Sequence, residues 1–340
     1  SNEITLKELS EGVYSNCTIQ LMDAAGNQSP LYTFDSFSID FTNPTLNLTG
    51  PIPSYVNDST PSLVFGTSEP GTIAYEGACS STTTSAVAGE NEITLNSLGD
   101  GRYTDCKLKV TDSAGNTGVL LLGSFKVDTV APSLNVTTSI PSVTRDTTPS
   151  FVVDVSEAST IVYSESCPGS IDQVQLGSNE ITLNELSDGN YGNCSIQLTD
   201  TAGNQSELHT FAAFLIDSTN PTLGLTTSIV NLVNDATPSF VFISTEPGTI
   251  VYEGACSSTK TSAVTGSNEV KLNSLSDGQY TDCRLKVTDS AGNPGVMALG
   301  TFQVDTFAPG ATITSQILSL TRDTTPSFVI DVSELSMVAY

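Results

Sequence analysis

The 340-residue chain reads as all-β: tandem Greek-key β-sandwiches of about seven strands each, strung into a linear rod. Three observations lead there. A short motif returns at nearly constant intervals. Apolar and polar residues alternate with the period of two that strands impose. Cysteines recur in pairs at one fixed separation.

The motif is DFTNPTL from Asp40, DTVAPSL from Asp128, DSTNPTL from Asp217 and DTFAPGA from Asp305, so successive copies stand 88, 89 and 88 residues apart. That interval is the size of one small sandwich domain. A longer period lies above it. EPGTIAYEGACSS from Glu69 returns as EPGTIVYEGACSS from Glu246, and SNEITLKELSEGVYSNC from Ser1 as SNEITLNELSDGNYGNC from Ser178, both after 177 residues. Two repeat types therefore alternate. Type A covers 40–127 and 217–304, and type B covers 128–216. Residues 1–39 read as the C-terminal half of a type B repeat and 305–340 as the N-terminal half of another. A window on a longer array would begin and end in this way, and any leader or anchor is then expected outside it. The alternative is that one copy's last strands pair with another copy's first.

Within 40–127 the alternation predicts strands near 45–49, 62–66, 72–76, 92–95, 103–111 and 119–127, bounded by Pro, Gly and Asp turns. In immunoglobulin-like order these are strands A, B, C, E, F and G, with a weak D inside 80–88. Leu108 and Val110 share one face of F with Cys106, which marks that face as core. Tyr103 precedes Cys106 by three residues, so a regular strand would point them to opposite faces; a structural corner or a bulge is expected there.

Cys79 ends C and Cys106 begins F, a separation of 27 that returns in Cys167 with Cys194 and in Cys256 with Cys283. Three disulfides with those pairings are expected. Cys17 aligns with Cys194, and its partner falls outside the chain. His209 is the only histidine and no C-x-x-C spacing occurs, which argues against a metal role for the thiols. Paired cysteines imply an oxidising, extracellular setting.

Eleven basic against thirty-seven acidic residues give a net charge of −26, which repels phosphate backbones and anionic lipid. Neither nucleic-acid binding nor membrane contact is expected of this stretch, and no apolar run is long enough to cross a bilayer. One histidine, no nucleophile elbow and no cluster that departs from the repeat argue against an enzyme. With no Trp, a sugar-binding aromatic platform is the weaker reading.

The topology gathers acidic turns where repeats meet. At the junction after 40–127 these are Asp58 and Asp100 from below, Asp128 in the connection, and Glu157, Asp200 and Asn204 from above. At the next they are Asp146, Asp188, Asp217, Glu246, Asp289 and Asn293. Carboxylates crowded together call for a cation, and Ca²⁺ takes six to eight oxygen ligands. The same residues can instead cap turns by bonding nearby backbone. Calcium is the one cofactor the sequence suggests, and none is required.

The phrases VDTVAPSL, RDTTPSFVVDVSEAST, LSDGNYGNCSIQLTDTAGNQS and TEPGTIVYEG together resemble the bacterial Ig-like repeats that form the shafts of giant cell-surface adhesins and related secreted fibres. The resemblance covers the whole chain. It implies a shaft that projects or links, often with calcium at inter-domain joints, while other domains carry the head that meets a host or cell-surface ligand. A cysteine pair in every repeat departs from many such shafts. The partners expected of this stretch are further copies of the repeat, in the same or neighbouring chains.

Overall fold

A computed structural model describes residues 1–339, and strands are the only regular elements among them. Three separate hydrophobic cores lie within 46–127, 134–216 and 223–304.

In the first of these repeats the strands are β1 (Leu46–Gly50), β2 (Tyr55–Val56), β3 (Ser62–Thr67), β4 (Gly71–Glu76), β5 (Ser85–Ala86), β6 (Gly89–Thr94), β7 (Gly101–Tyr103), β8 (Lys107–Thr111), β9 (Thr117–Leu121) and β10 (Phe125–Val127). They form three sheets, ordered β6-β3-β1, β9-β8-β4-β5 and β7-β10-β2. The two larger ones face each other across the core. Leu63 and Phe65 from β3, Ile93 from β6 and Leu108 and Val110 from β8 are fully buried, each contributing roughly 1.5–3 kcal/mol of apolar transfer. The residues between them point outward, which is the alternation seen in the sequence. The all-β, sandwich reading is thereby borne out.

Two expected strands are in fact four. The stretch read as one strand over 103–111 is β7 and β8, and 119–127 is β9 and β10. In each case the two halves belong to different sheets. The chain leaves the ladder between Tyr103 and Lys107. This lets Cys106 turn inward to 1% exposure while Tyr103, three residues earlier, also packs on the core. Its ring stacks on Phe125 at 5.3 Å, and its hydroxyl donates to the Gly99 carbonyl at 2.8 Å. Tyr14, Tyr191 and Tyr280 make the same bond four residues back. The break between β9 and β10 is made by Gly123 at φ +82°, a left-handed conformation that glycine adopts without a Cβ clash.

Gly300 repeats that turn in 217–304 at φ +83°. The type B repeat has Ala212 at this point and a different solution: the counterpart of β9 shrinks to His209–Thr210. There Phe211 fills the space, packed edge-on against Phe151 with ring centroids 4.7 Å apart. The strand β2, which the sequence reading missed, pairs parallel to β10 through Tyr55 with Lys126 and Val56 with Val127; Val143–Thr144 and Leu232–Val233 pair in the same parallel way in the next two repeats, and the remaining strand pairs among the described residues are antiparallel.

Disulfides join Cys79 to Cys106, Cys167 to Cys194 and Cys256 to Cys283, with Cα atoms 5.3, 5.5 and 5.3 Å apart. Cys17 carries a free thiol. Residues 1–39 form two small two-stranded sheets and 305–339 one. Their apolar side chains are open: Phe328 is 52% exposed where its counterpart Phe151 is 0%. Tyr340, which aligns with Tyr163, lies outside the described residues.

Candidate functional site at the repeat joints

Three turns build each joint. The first is the connection from one repeat to the next. In that connection the Asp128 N–H donates to the Val56 carbonyl at 2.9 Å, which fixes it to the repeat below. The Asn204 side-chain amide of the repeat above donates to the Asp128 carbonyl at 2.7 Å. One residue is thus bonded into both repeats. The same clamp recurs at Asp217, whose N–H donates to the Thr144 carbonyl and whose carbonyl accepts from Asn293; at Asp40 the Asn116 half recurs.

The second turn joins β8 to β9. In its Asp-x-x-Gly-Asn sequence, Asp112 Oδ1 accepts from the N–H groups of Ala114, Gly115 and Asn116, and Oδ2 accepts from the Asn116 amide. Burial pushes the Asp112 carboxyl up, but these bonds outweigh it and hold the group below its usual range. Asp200 and Asp289 accept from their own turns in the same manner. The third turn, between β3 and β4, carries Glu69 and is pinned by Thr67, whose hydroxyl donates to the Glu69 carbonyl at 2.8 Å.

Together these turns make one carboxylate triad per joint: Asp40, Glu69 and Asp112; Asp128, Glu157 and Asp200; Asp217, Glu246 and Asp289. In each, one oxygen per residue lies within 4.8 Å of the other two. Each glutamate bears the electrostatic cost. Burial, then the neighbouring Asp128 and Asp200, push the Glu157 carboxyl up, with Lys126 opposing. Burial, Asp217 and Asp289 do the same to Glu246, and burial, Asp40 and Asp112 to Glu69. A donor set made of oxygen alone, at high negative charge and partly shielded from water, fits a hard divalent cation such as Ca²⁺.

The sequence-predicted set is divided by the structure. Asp128, Glu157 and Asp200 come together, with Asn204 holding them, as do Asp217, Glu246 and Asp289 with Asn293. Asp58 and Asp146 do not join them; they cap the N–H and hydroxyl of Thr60 and Thr148 inside their own repeats. Asp100 and Asp188 reach the joint but fasten the connection and are not members of the triads. Asp100 accepts from the N–H and hydroxyl of Thr129, and Asp188 from Ser218 and Thr219. The triad at Asp40 lies outside the sequence-predicted set, which covers the joints that follow a complete repeat. The recurrence of D-x-x-x-P, a Ser/Thr-Glu step and T-D-x-A-G-N at that joint is signal enough to find it. There Glu11 takes the place of Asp100 and accepts from the Thr42 hydroxyl at 2.8 Å. A further tie between repeats is the Arg145 guanidinium, which donates to the Gly292 carbonyl at 3.3 Å.

Residues 137–218 match the family model of a bacterial Ig-like domain. No curated protein matches the chain. Among solved structures, similarity is found to invasin, described as a bacterial integrin-binding protein, at 10% identity and a TM-score of 0.31, covering 81% of this chain and 63% of that one. The D0–D1 domain of intimin is similar at 13% identity and a TM-score of 0.19, over 51% of this chain and 98% of that one. Escherichia coli alpha-2-macroglobulin is similar at 9% identity and a TM-score of 0.20, over 88% and 36%. The chain thus spans less than two thirds of the invasin chain. The resemblance carried by the repeated motifs is borne out where the family model applies: the type B repeat is similar in sequence to the bacterial Ig-like domain.

Proposed function

We propose that this chain is a structural repeat array on the outside of a cell, forming the shaft of a cell-surface adhesin or an extracellular filament, and that Ca²⁺ at the carboxylate triads stiffens its joints. The observation that carries the reading is the return of one Asp–Glu–Asp arrangement at three successive joints. A site serving one local reaction has no reason to recur at every seam, whereas a joint that must hold its angle does. Disulfides in each complete repeat support an oxidising, extracellular location.

Calcium titration tests it. Bound ions are counted calorimetrically, and the maximum dimension in solution scattering and the melting temperature are followed with calcium and with chelator. Three ions per chain, a longer and better-defined particle, and a higher melting temperature are expected. At a hundredfold excess over Kd, an ion bound only by the folded state adds about 2.7 kcal/mol. Unchanged dimensions and melting temperature would overturn the calcium joint.

A further inference from the structure

The basic residues of this acidic chain are not scattered evenly. On the outer face of the β9-β8-β4-β5 sheet, Lys107 sits in register between Leu121 and Glu76, and Lys109 between Val119 and Ala74. In 217–304, Arg284 stands between Ala298 and Glu253 and Lys286 between Val296 and Val251 at the same two places, so each face carries two cations against one glutamate. Four of the eleven basic side chains thus fall on the same sheet face of the two type A repeats. Val119, Leu121 and Val296 are more than half exposed there, so each face is cationic and aliphatic at once. Lys109 forms an ion pair with Glu76, which leaves Lys107 without an ion-pair partner among the described residues. The type B repeat has Ser195 and Gln197 at these positions.

The opposite sheet is acidic. Glu90 and Glu92 project from β6, registered with Gly66 and Val64 of β3, and both are exposed. In 128–216 the matching outer face carries Asp154 and Glu180, the latter registered with Val152. The sandwich of 40–127 is therefore polarised across its thickness, whereas in 217–304 the outer face of the matching sheet carries Glu269 and Lys271 and is balanced.

We propose that this cationic, aliphatic face is a lateral docking surface whose occupant is the acidic β6-β3-β1 face, or its type B counterpart, of a second copy of the chain. The charges are complementary, both faces have aliphatic side chains between the charges, and a strongly acidic chain has few other places where a like-charged copy can be met favourably. Net repulsion between copies is screened within about 8 Å at physiological ionic strength, whereas opposite charges in contact are screened far less and set register and partner choice. The two surfaces differ, so the contact is heterologous and does not close on itself. Copies would accrue into a bundle with one contact per 177-residue period. The proposal deepens the structural reading above and rests on it only in taking the chain to be an extended array.

Sedimentation of the intact chain at physiological ionic strength, in chelator so that no cation bridges carboxylates, tests it. Two charge-swapped chains are needed. One carries Lys107→Glu, Lys109→Glu, Arg284→Glu and Lys286→Glu; the other carries Glu90→Lys, Glu92→Lys, Asp154→Lys and Glu180→Lys. Wild type is expected to self-associate, each variant alone to associate at least about tenfold more weakly, and their mixture to recover it, as expected for a charge-matched interface. Recovery in the mixture also shows that both variants are folded. Three outcomes overturn the proposal: wild type monomeric at all concentrations, self-association unaltered by the swaps, or a monomeric chain that captures an anionic polysaccharide on this face. A chain that remains single but rod-like would sink the docking surface and leave the shaft reading standing.

Discussion

A carboxylate set among two others, with part of its water removed, can lower its energy in two ways: by taking a proton or by taking a cation. Glu69, Glu157 and Glu246 are in that position. Their folded pKa values are raised, so the folded state binds the extra proton. Stability from this source is present below the unfolded pKa and is lost as pH rises through the folded one. In chelator, mild acidification from neutral pH is therefore expected to raise the melting temperature before general acid unfolding sets in. The triple variant Glu69→Gln, Glu157→Gln and Glu246→Gln should melt higher than wild type at neutral pH and lose that slope, while responding less to calcium; melting curves across pH with and without the metal check all three. Asp112 and Asp188, held low by the bonds they accept, titrate with the opposite sign. The tyrosine corner gives a second residue-scale test. Tyr191→Phe keeps the stack on Phe214 but removes the bond to the Ser187 carbonyl, and should cost about 1 kcal/mol in chemical denaturation. At this scale the cysteine pairing was legible because a separation of 27 residues recurs and chance thiols do not repeat. The acidic ligand set was only half legible. Spacing says which turns share a pole, but not which carboxylate already has an oxygen engaged by a nearby threonine, as Asp58 and Asp100 have.

At the scale of the element, alternation placed the core strands because a buried Leu108 or Val110 needs a polar neighbour on either side. It could not show that the β7–β8 and β9–β10 runs change sheets midway, since the pattern of sides survives when a strand passes from one sheet to another. The short β2 offered two residues and no period. Edges are guarded by charge: β6 places Glu90 and Glu92 on a free edge of its sheet, and Glu180 and Glu269 lie on its counterparts, a pattern that opposes pairing between copies edge to edge. The disulfide links the end of β4 to the start of β8 in the second large sheet. Replacing Cys79 and Cys106 together by Ala should destabilise that repeat by about 3 kcal/mol, the chain-entropy value for a loop of this order. Calorimetry should then show one transition moved and those of the other repeats unmoved, because each repeat has its own core.

For the whole molecule, the alternation of repeat types was legible from a 177-residue recurrence, and its physical content emerges in the structure as two ways of finishing the last strands: Gly123 and Gly300 in one type, Phe211 in the other. The short parallel pairing of β2 with β10 has a mechanical consequence. Its hydrogen bonds, Lys126 to Ser54 and Asp128 to Val56, return as Leu215 to Ser142 and Asp217 to Thr144, and as Gln303 to Asn231 and Asp305 to Val233. They tie the entry of each repeat to its exit. When the two ends are pulled apart, strands running side by side in the same direction are dragged along each other, so their bonds are loaded together rather than one by one. Once they yield, the chain between the paired cysteines, a sequence separation of 27, stays looped and cannot pay out. Stretching single molecules under reducing and oxidising conditions should show it: reduction is expected to lengthen the extension released per repeat by roughly 90 Å, at about 3.4 Å per residue. A repeat of this kind is a fuse with a stop. It gives way under overload, and the covalent loop limits how far.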